Sequence, residues 1–377
     1  VSPPGIYLDY NATAPIRPQA AQAVTEALRL GGNPSSIHAA GRGARALVER
    51  ARSDVAALVG ARSEAVTFVS GGAEANALAI ESAAAGDCDR ILVSATEHDT
   101  VRQSAAASGL TVLDWPVQPD GQADLNWLED ELARGGRAIV CLMAANNETG
   151  VIQPVSQAAR QVRAAGGWLH VDAIQAAGKI ALDMTALGAD TLTVSAHKLG
   201  GPQGVGALVA APSARIRRRL HGGGQERGLR AGTENVAGIA GFAAAVRASL
   251  DDLRQLAGDS AGRDALEARV LASGAEVLGR DSPRLPQTAC FAAMGFPAEL
   301  QVIALDLAGV MVSAGAACSS GKVKVSHVVT AMGRADLAPF AIRVSGGWDS
   351  AADDWAACAE AWSEILKTRA ARRLELV

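Results

Sequence analysis

Short apolar runs alternate with stretches of helical periodicity along most of the chain. Ile6-Tyr-Leu-Asp9 reads as a short extended piece, followed by a loop, Tyr10-Asn-Ala-Thr-Ala-Pro-Ile16. A helix is predicted from Pro18 to about Leu30, ended by Gly31-Gly-Asn-Pro34. Apolar residues at Ala44, Leu47, Val48, Ala51, Val55, Leu58 and Val59 recur at helical spacing and predict a second helix between Ala40 and Val59. Strands are then predicted at 65–69, 90–94, 111–115, 138–143, 168–172, 191–194 and 205–209. Helices are expected from Glu74 to about Ala84 and from Val155 to Ala165. Such alternation argues for an α/β fold with a mostly parallel sheet covered by helices. Ligands of such sheets sit at the carboxyl ends of the strands.

After about Leu250 the pattern changes. One long charged helical stretch is predicted from Asp251 to about Leu278, then a strand at 287–291, a helix from Ala298 to Ala308, and a strand at 310–313. A final helix starts near Ser350, with Asp353 three residues on as in a capping box. This reads as a smaller α+β domain. The expected division is a large cofactor-binding domain, residues 14–250, and a small domain from residues 1–13 and 251–377.

Composition narrows the function classes. Of 377 residues, 49% are hydrophobic and 20% charged, enough for an ample core in a soluble protein. The net charge of −4 gives no basic field for nucleic acid. No apolar stretch is long enough to predict a membrane span. The opening Val1-Ser-Pro-Pro-Gly-Ile6 lacks the pattern of a secretory signal, so a cytoplasmic location is expected. The five cysteines form no Cys-x-x-Cys pair, which argues against a disulfide framework and a zinc site.

The chemistry gathers around Ser195-Ala-His-Lys198-Leu-Gly-Gly-Pro-Gln-Gly204. A strand delivers a lysine to a permissive glycine turn, just behind a serine and a histidine. Lys198 is either a surface loop lysine or one that condenses with an aldehyde cofactor, pyridoxal phosphate. Such a cofactor also needs an acid at its ring nitrogen, a stacking group and a phosphate cradle. Asp172 ends an apolar strand, where a carboxylate is costly to bury without a cation or hydrogen bonds. It suits the ring nitrogen, or else a helix N-cap, and Gln175 lies within reach of the ring hydroxyl. Ser70-Gly-Gly-Ala-Glu74 joins a strand to a helix, a phosphate-binding arrangement that many ordinary loops share. His98 is either a stacking group or a loop histidine without a role. Asn146-Asn-Glu-Thr-Gly150 reads as a turn that places an amide in the same crevice.

The segment from His221 to Asn235 combines glycines, Arg227, Arg230 and Thr233, which suits a phosphate or a carboxylate, or a solvated linker. Ser313-Ala-Gly-Ala-Ala-Cys318-Ser-Ser-Gly321 surrounds a cysteine with small residues, a setting for a nucleophile, whereas Cys141 and Cys290 sit among large apolar neighbours. Arg343, inside an apolar strand, is either a structural ion-pair member or a fork for a substrate carboxylate.

In this order, these pieces resemble the cysteine desulfurases, pyridoxal-phosphate enzymes of the class V aminotransferase group. The resemblance runs from Tyr7-Leu-Asp-Tyr-Asn-Ala-Thr-Ala-Pro15 to about Trp348. It rests on Gly32-Asn-Pro-Ser-Ser36, Asn146-Asn-Glu-Thr-Gly150, Ser195-Ala-His-Lys198, residues 221–235 and the cysteine loop, which resembles that of the subgroup with a long mobile loop. It implies fold-type I architecture, with a mostly parallel seven-stranded sheet in the large domain and the cysteine loop on the small α+β domain.

By that resemblance Lys198 carries pyridoxal 5'-phosphate, Asp172 meets the ring nitrogen, and His98 stacks on the ring. Asn147 and Gln175 lie near the ring substituents. Gly72, Ala73, Ser195 and His197 surround the phosphate, and Thr233 reaches the phosphate of the other subunit of a homodimer. Arg343 and Asn33, beside Asn147, hold the substrate carboxylate, and Cys318 accepts the sulfur. The implied reaction converts L-cysteine to L-alanine with a persulfide on Cys318, passed to an acceptor such as an iron–sulfur scaffold protein. Ala73 replaces a common threonine, so its phosphate contact falls to the backbone. Ala196 and Gln203 replace a usual glycine and lysine, and Ser345-Gly-Gly-Trp348 a common Ser-Leu-Gly run. A selenocysteine lyase, another class V aminotransferase or lyase, and an inactive scaffold that binds a sulfur-transfer partner are the alternatives.

Overall fold

The computed structural model describes residues 5–256, 259–315 and 325–374. Among these described residues twelve strands run in chain order: β1 Ile6–Tyr7, β2 Val66–Val69, β3 Arg90–Ser94, β4 Thr111–Trp115, β5 Ala138–Cys141, β6 Trp168–Asp172, β7 Thr191–Ser195, β8 Gly206–Ala210, β9 Glu276–Val277, β10 Thr288–Ala292, β11 Val310–Met311 and β12 Ala341–Ser345. A seven-stranded sheet has the order β2-β8-β7-β6-β5-β3-β4. β4, β3, β5, β6 and β7 are parallel neighbours, while β8 runs antiparallel to both β7 and β2. The mostly parallel sheet expected from the sequence is present. β2, β5, β6 and β7 are buried along their whole length, which is why they read as unbroken apolar runs, whereas the edge strand β4 is largely exposed.

Helices cover the sheet. Pro18–Leu30 forms as the sequence predicts, and Ala39–Leu58, Gly72–Ala84, Val155–Ala164 and Ala298–Leu307 agree with the predicted spans to within one or two residues. The long helix predicted between Asp251 and Leu278 does not form as one element. Instead, Val236–Leu256 ends one helix, Ala261–Ala272 makes another, and the chain then turns into β9. Gly274, at φ 87°, provides the left-handed residue that stops the second helix. The start of Ala352–Leu374 also differs from the predicted capping box. Ser350 bonds back to Gly347, and Asp354 accepts from the Ala351 N–H at 2.8 Å.

The apolar residues form two main clusters. One joins Phe68, Trp115, Leu192 and Phe242 beneath the large sheet. The other joins Leu8, Leu266, Phe291, Trp355 and Trp362 around the antiparallel sheet β12-β10-β9. Each such side chain contributes about 1.5–3 kcal/mol by leaving water. Leu8 in the second cluster ties residues 6–11 to the C-terminal half, and Asp9 pairs with Ser345 as an isolated bridge.

Candidate active site

The carboxyl ends of β3, β5, β6 and β7 and the turn after β2 open onto one crevice of about 580 Å³. Lys198, Asp172, His98, Asn147, Gln175, Ser195, His197, Gly72, Ala73 and Arg343 all line it. Residues from Gly72 to Lys198 thus meet because five chain segments end on the same edge of the sheet, and Arg343 reaches the crevice from β12 of the antiparallel sheet.

Lys198 follows β7 in one turn of 3-10 helix. The next turn needs Gly200, whose φ is 81° and whose added Cβ would meet Arg17 Cγ at 2.7 Å. Lys198 Nζ donates to the carbonyls of Asn11 and Ala12, each at 2.6 Å. Burial, aided by the Arg343 cation, lowers its pKa to about 8, so a neutral, nucleophilic amine is accessible near physiological pH.

Asp172, at the end of β6, accepts from the Ile174 N–H at 3.0 Å and from Asn76 Nδ2 at 2.8 Å. Burial raises its pKa, and these bonds pull it back down. A cation in the crevice would complete its ionisation. Behind it, burial holds His170 neutral, with a pKa of about 3. His98 precedes the helix Asp99–Ala106 and caps it, since Nδ1 accepts from the Thr100 N–H at 3.1 Å. The same residue lines the crevice.

The helix Gly72–Ala84 opens at the crevice wall with free N–H groups. A Cβ on Gly72 would sit 2.2 Å from Ile174 Cδ1, so a larger residue there would have to turn the end of the Ile174 side chain aside. Ser195 and His197 face the same end. His197 Nδ1 bonds Thr13 Oγ1 at 3.0 Å, and burial lowers its pKa to about 4.

Arg343, on β12, pairs with Asp9 Oδ1 at 2.6 Å and donates to the Asn147 carbonyl at 3.1 Å. Among the described residues its buried Nε has no hydrogen-bond partner. An unpaired guanidinium donor beside a crevice is a fit for an added carboxylate.

Two sequence expectations find other places. Asn33 is exposed and caps a local turn by accepting from the Ser35 N–H at 2.9 Å, so it is absent from the crevice lining among the described residues. Thr233, expected to reach the phosphate of a partner copy, lines a neighbouring cavity of about 230 Å³ that shares Ser70 and Gly204 with the crevice. The arginines of 221–235 serve the protein: Arg230 pairs with Glu74 at 3.0 Å, and Arg227 donates to the Val66 carbonyl. Glu226 adds a buried ion pair with Arg52 at 2.6 Å and accepts from the Phe68 N–H at 2.8 Å. Cys318 lies outside the described residues. Cys141 and Cys290 are buried, as expected, and burial raises both thiols.

Asn11, Asn76, Lys179 and Glu97 belong to the site's surroundings without any local signal in the sequence. Asn11 lies in a loop with no periodicity to mark it, as does its neighbour Thr13. Asn76 and Lys179 each sit four residues beyond a motif residue, Asn76 after Gly72 on the same helix and Lys179 after Gln175 in the turns that follow β6. Glu97 is fully buried beside Met143, whose N–H it accepts, and burial raises its pKa well above the usual range.

The lysine on its turn, the acid at a strand end, the histidine in the crevice wall and the helix N-terminus are the kinds of group that a phosphorylated pyridine aldehyde requires. The sequence pattern described as aminotransferase class-V matches residues 6–354. The chain belongs to the class-V aminotransferase family. Within this family it is 41% identical to a cysteine desulfurase of Cereibacter sphaeroides over 368 residues, 92% of each chain. It is 36% identical to the cysteine desulfurase IscS of Dictyoglomus turgidum, over 93% of this chain and 91% of that one. The crystal structure of a NifS-like protein from Rickettsia africae superposes with a TM-score of 0.88 at 32% identity, covering 96% of this chain and 99% of the other. Class-V proteins of this group depend on pyridoxal phosphate, and the crevice fits that cofactor at every point just described.

Proposed function

We propose that this enzyme is a cysteine desulfurase that converts L-cysteine to L-alanine and retains the sulfur as a persulfide on Cys318. The observation that carries this reading is one crevice holding a lysine of lowered pKa, a buried carboxylate and an arginine with a spare donor. Relatives called cysteine desulfurases over nine-tenths of the chain support it.

Lys198 holds the cofactor through its amine. Asp172 faces the ring nitrogen, His98 covers the ring, and Asn147 and Gln175 approach its substituents. The N-terminus of Gly72–Ala84, with Ala73, Ser195 and His197, takes the phosphate. When bound, pyridoxal phosphate draws electrons from the substrate Cα and so weakens the bonds around it. Arg343 grips the substrate carboxylate and fixes its orientation. The Lys198 amine, once released, removes the Cα proton with its lone pair. The Cys318 thiolate bonds the substrate sulfur, the carbon–sulfur electrons stay with the substrate and Cβ gains a proton, and return of a proton to Cα then gives alanine.

The finer features belong to the same proposal. Residues 14–250 form the large domain, and 1–13 with 251–377 the small domain that carries the cysteine loop. Two copies form a homodimer in which Thr233 completes the partner's phosphate site. Its exposed place, outside the lining of its own crevice, supports that role. The sulfur acceptor is a protein, with an iron–sulfur assembly scaffold the leading class, and the enzyme works in the cytoplasm. No helix among the described residues is long and apolar enough to cross a membrane.

The test is mass spectrometry of the enzyme after turnover with L-cysteine, with alanine measured in parallel. One added sulfur on the Cys318 peptide is expected, lost in Cys318→Ala while the bound-cofactor absorbance stays. Unchanged sulfur output from that variant would remove Cys318 from the reaction.

A further inference from the structure

Lys179 is a lysine beneath the crevice that the reaction as described does not use. It lies four residues after Gln175, and burial with the nearby cations of Lys198 and Arg343 holds its pKa well below the usual lysine range. Its Nζ donates to Asn11 Oδ1 at 2.9 Å and to Gln175 Oε1 at 2.7 Å. An ammonium or amine can only donate to those oxygens, so both side-chain amides are fixed in orientation. Gln175 therefore turns its Nε2 to the Asn11 carbonyl, at 2.9 Å.

Asn11 is a hub. It is buried, and each of its polar atoms is engaged. Its N–H donates to Ser345 Oγ at 3.0 Å, and its Nδ2 to the Asn147 carbonyl at 3.1 Å and to Thr288 Oγ1 at 3.0 Å. Its Oδ1 belongs to Lys179. Its main-chain carbonyl, held by these contacts, receives both Gln175 and the amine of Lys198. The Ala12 carbonyl next to it takes a second hydrogen of the same amine.

We propose that the Asn11 and Ala12 carbonyls are a resting place for the Lys198 amine whenever it is free of the cofactor, and that Lys179 is the positioning residue that holds this place. Two carbonyls accept two amine hydrogens and leave the nitrogen lone pair directed elsewhere. That is what a group must do if it is to take a proton from the substrate Cα. Lys179 touches neither substrate nor cofactor, and acts through Asn11 and Gln175. This role rests on the desulfurase reading, because only a lysine that leaves the cofactor during turnover needs somewhere to wait.

The experiment compares wild-type holoenzyme with Lys179→Met, Asn11→Ala and the double variant, using L-cysteine and L-cysteine deuterated at Cα. Asn11→Ala keeps the main-chain carbonyl and removes the Lys179 contact. Each single variant should lose roughly tenfold or more in kcat with little change in KM, because a misplaced base slows proton transfer rather than binding. The deuterium effect on kcat should rise in both. The double variant should be no slower than the slower single variant, since the two changes cut one connection. A deuterium effect equal to wild type, with the loss confined to KM, cofactor affinity or melting temperature, would overturn the proposal. If Lys179→Met does not fold, Asn11→Ala gives the same readout. Alanine release by the wild type reports separately on the desulfurase reading. If there is none, Cα hydrogen exchange of bound cysteine into deuterated solvent is followed by NMR instead. Slower exchange in the variants than in wild type then supports the positioning role, and equal exchange overturns it.

Discussion

Asn76 donates one amide hydrogen to Asp172 Oδ2 at 2.8 Å and the other to Thr100 Oγ1 at 3.0 Å. The Thr100 hydroxyl is then free to donate to His98 Nδ1, 2.9 Å away. On its other side Asn76 Oδ1 meets His170 Nε2 at 3.0 Å, which places the proton of that ring on Nε2. One amide on the helix Gly72–Ala84 therefore orients both the carboxylate proposed for the ring nitrogen and the histidine proposed for the ring face. Asn76→Ala should weaken pyridoxal phosphate binding by about 1–3 kcal/mol, the cost of leaving Asp172 and His170 short of a partner in the interior. Titration of apoenzyme with the cofactor, followed by absorbance, measures it.

Lys198→Ala should remove the absorbance of covalently held cofactor and abolish alanine formation. Gel filtration of the loaded variant, followed by a spectrum, shows whether the cofactor stays attached. A retained wild-type spectrum would reassign the attachment point.

Burial depresses the His170 pKa to about 3, from an ordinary 6.5. Below pH 6.5 the unfolded chain binds a proton here that the folded chain refuses. Stability from this group is therefore complete above pH 6.5 and is lost as pH falls toward 3. His170→Asn should flatten the acid limb of the stability curve by the equivalent of one proton over that window, read by urea denaturation at a series of pH values.

The Arg52–Glu226 pair predicts a stability effect rather than a kinetic one. Both NH groups of Arg52 meet Glu226, at 2.6 and 3.0 Å, in the interior. Glu226 and Arg227 also adopt left-handed φ values of 47° and 56°, conformations uncommon outside glycine. Glu226→Ala should cost about 1–3 kcal/mol, because Arg52 then keeps only the half-exposed Glu49 as a counter-charge. Thermal denaturation of the holoenzyme tests this. Removing both partners together should cost less than Glu226→Ala alone.

The sheet is legible in the sequence because its strands are buried on both faces, so β2, β5, β6 and β7 read as unbroken apolar runs. Lys198 and Asp172 stand out because polar groups at the ends of such runs are rare. Asn11 and Lys179 do not, because their significance is a set of contacts between distant segments, and nothing in local periodicity records them. The helix predicted across 251–278 fails for a local reason. Charged helical spacing continues on both sides of Gly258-Asp-Ser260, and it hides the turn at Gly274. The arginines of 221–235 mislead because a cation suited to phosphate is equally suited to Glu74, and sequence cannot say which is nearer.

The ion pair between Asp9 and Arg343 joins positions 334 residues apart, and Asn11 meets Ser345 over the same span. More than 330 residues are therefore made after Asp9 before the pocket acquires its last wall. Until then the early segment has no place to dock, and the nascent chain presents an incomplete receptacle for the amino acid. The cofactor contacts proposed within this chain lie between Gly72 and Lys198, so it is the grip on the substrate carboxylate, rather than on the cofactor, that waits for β12.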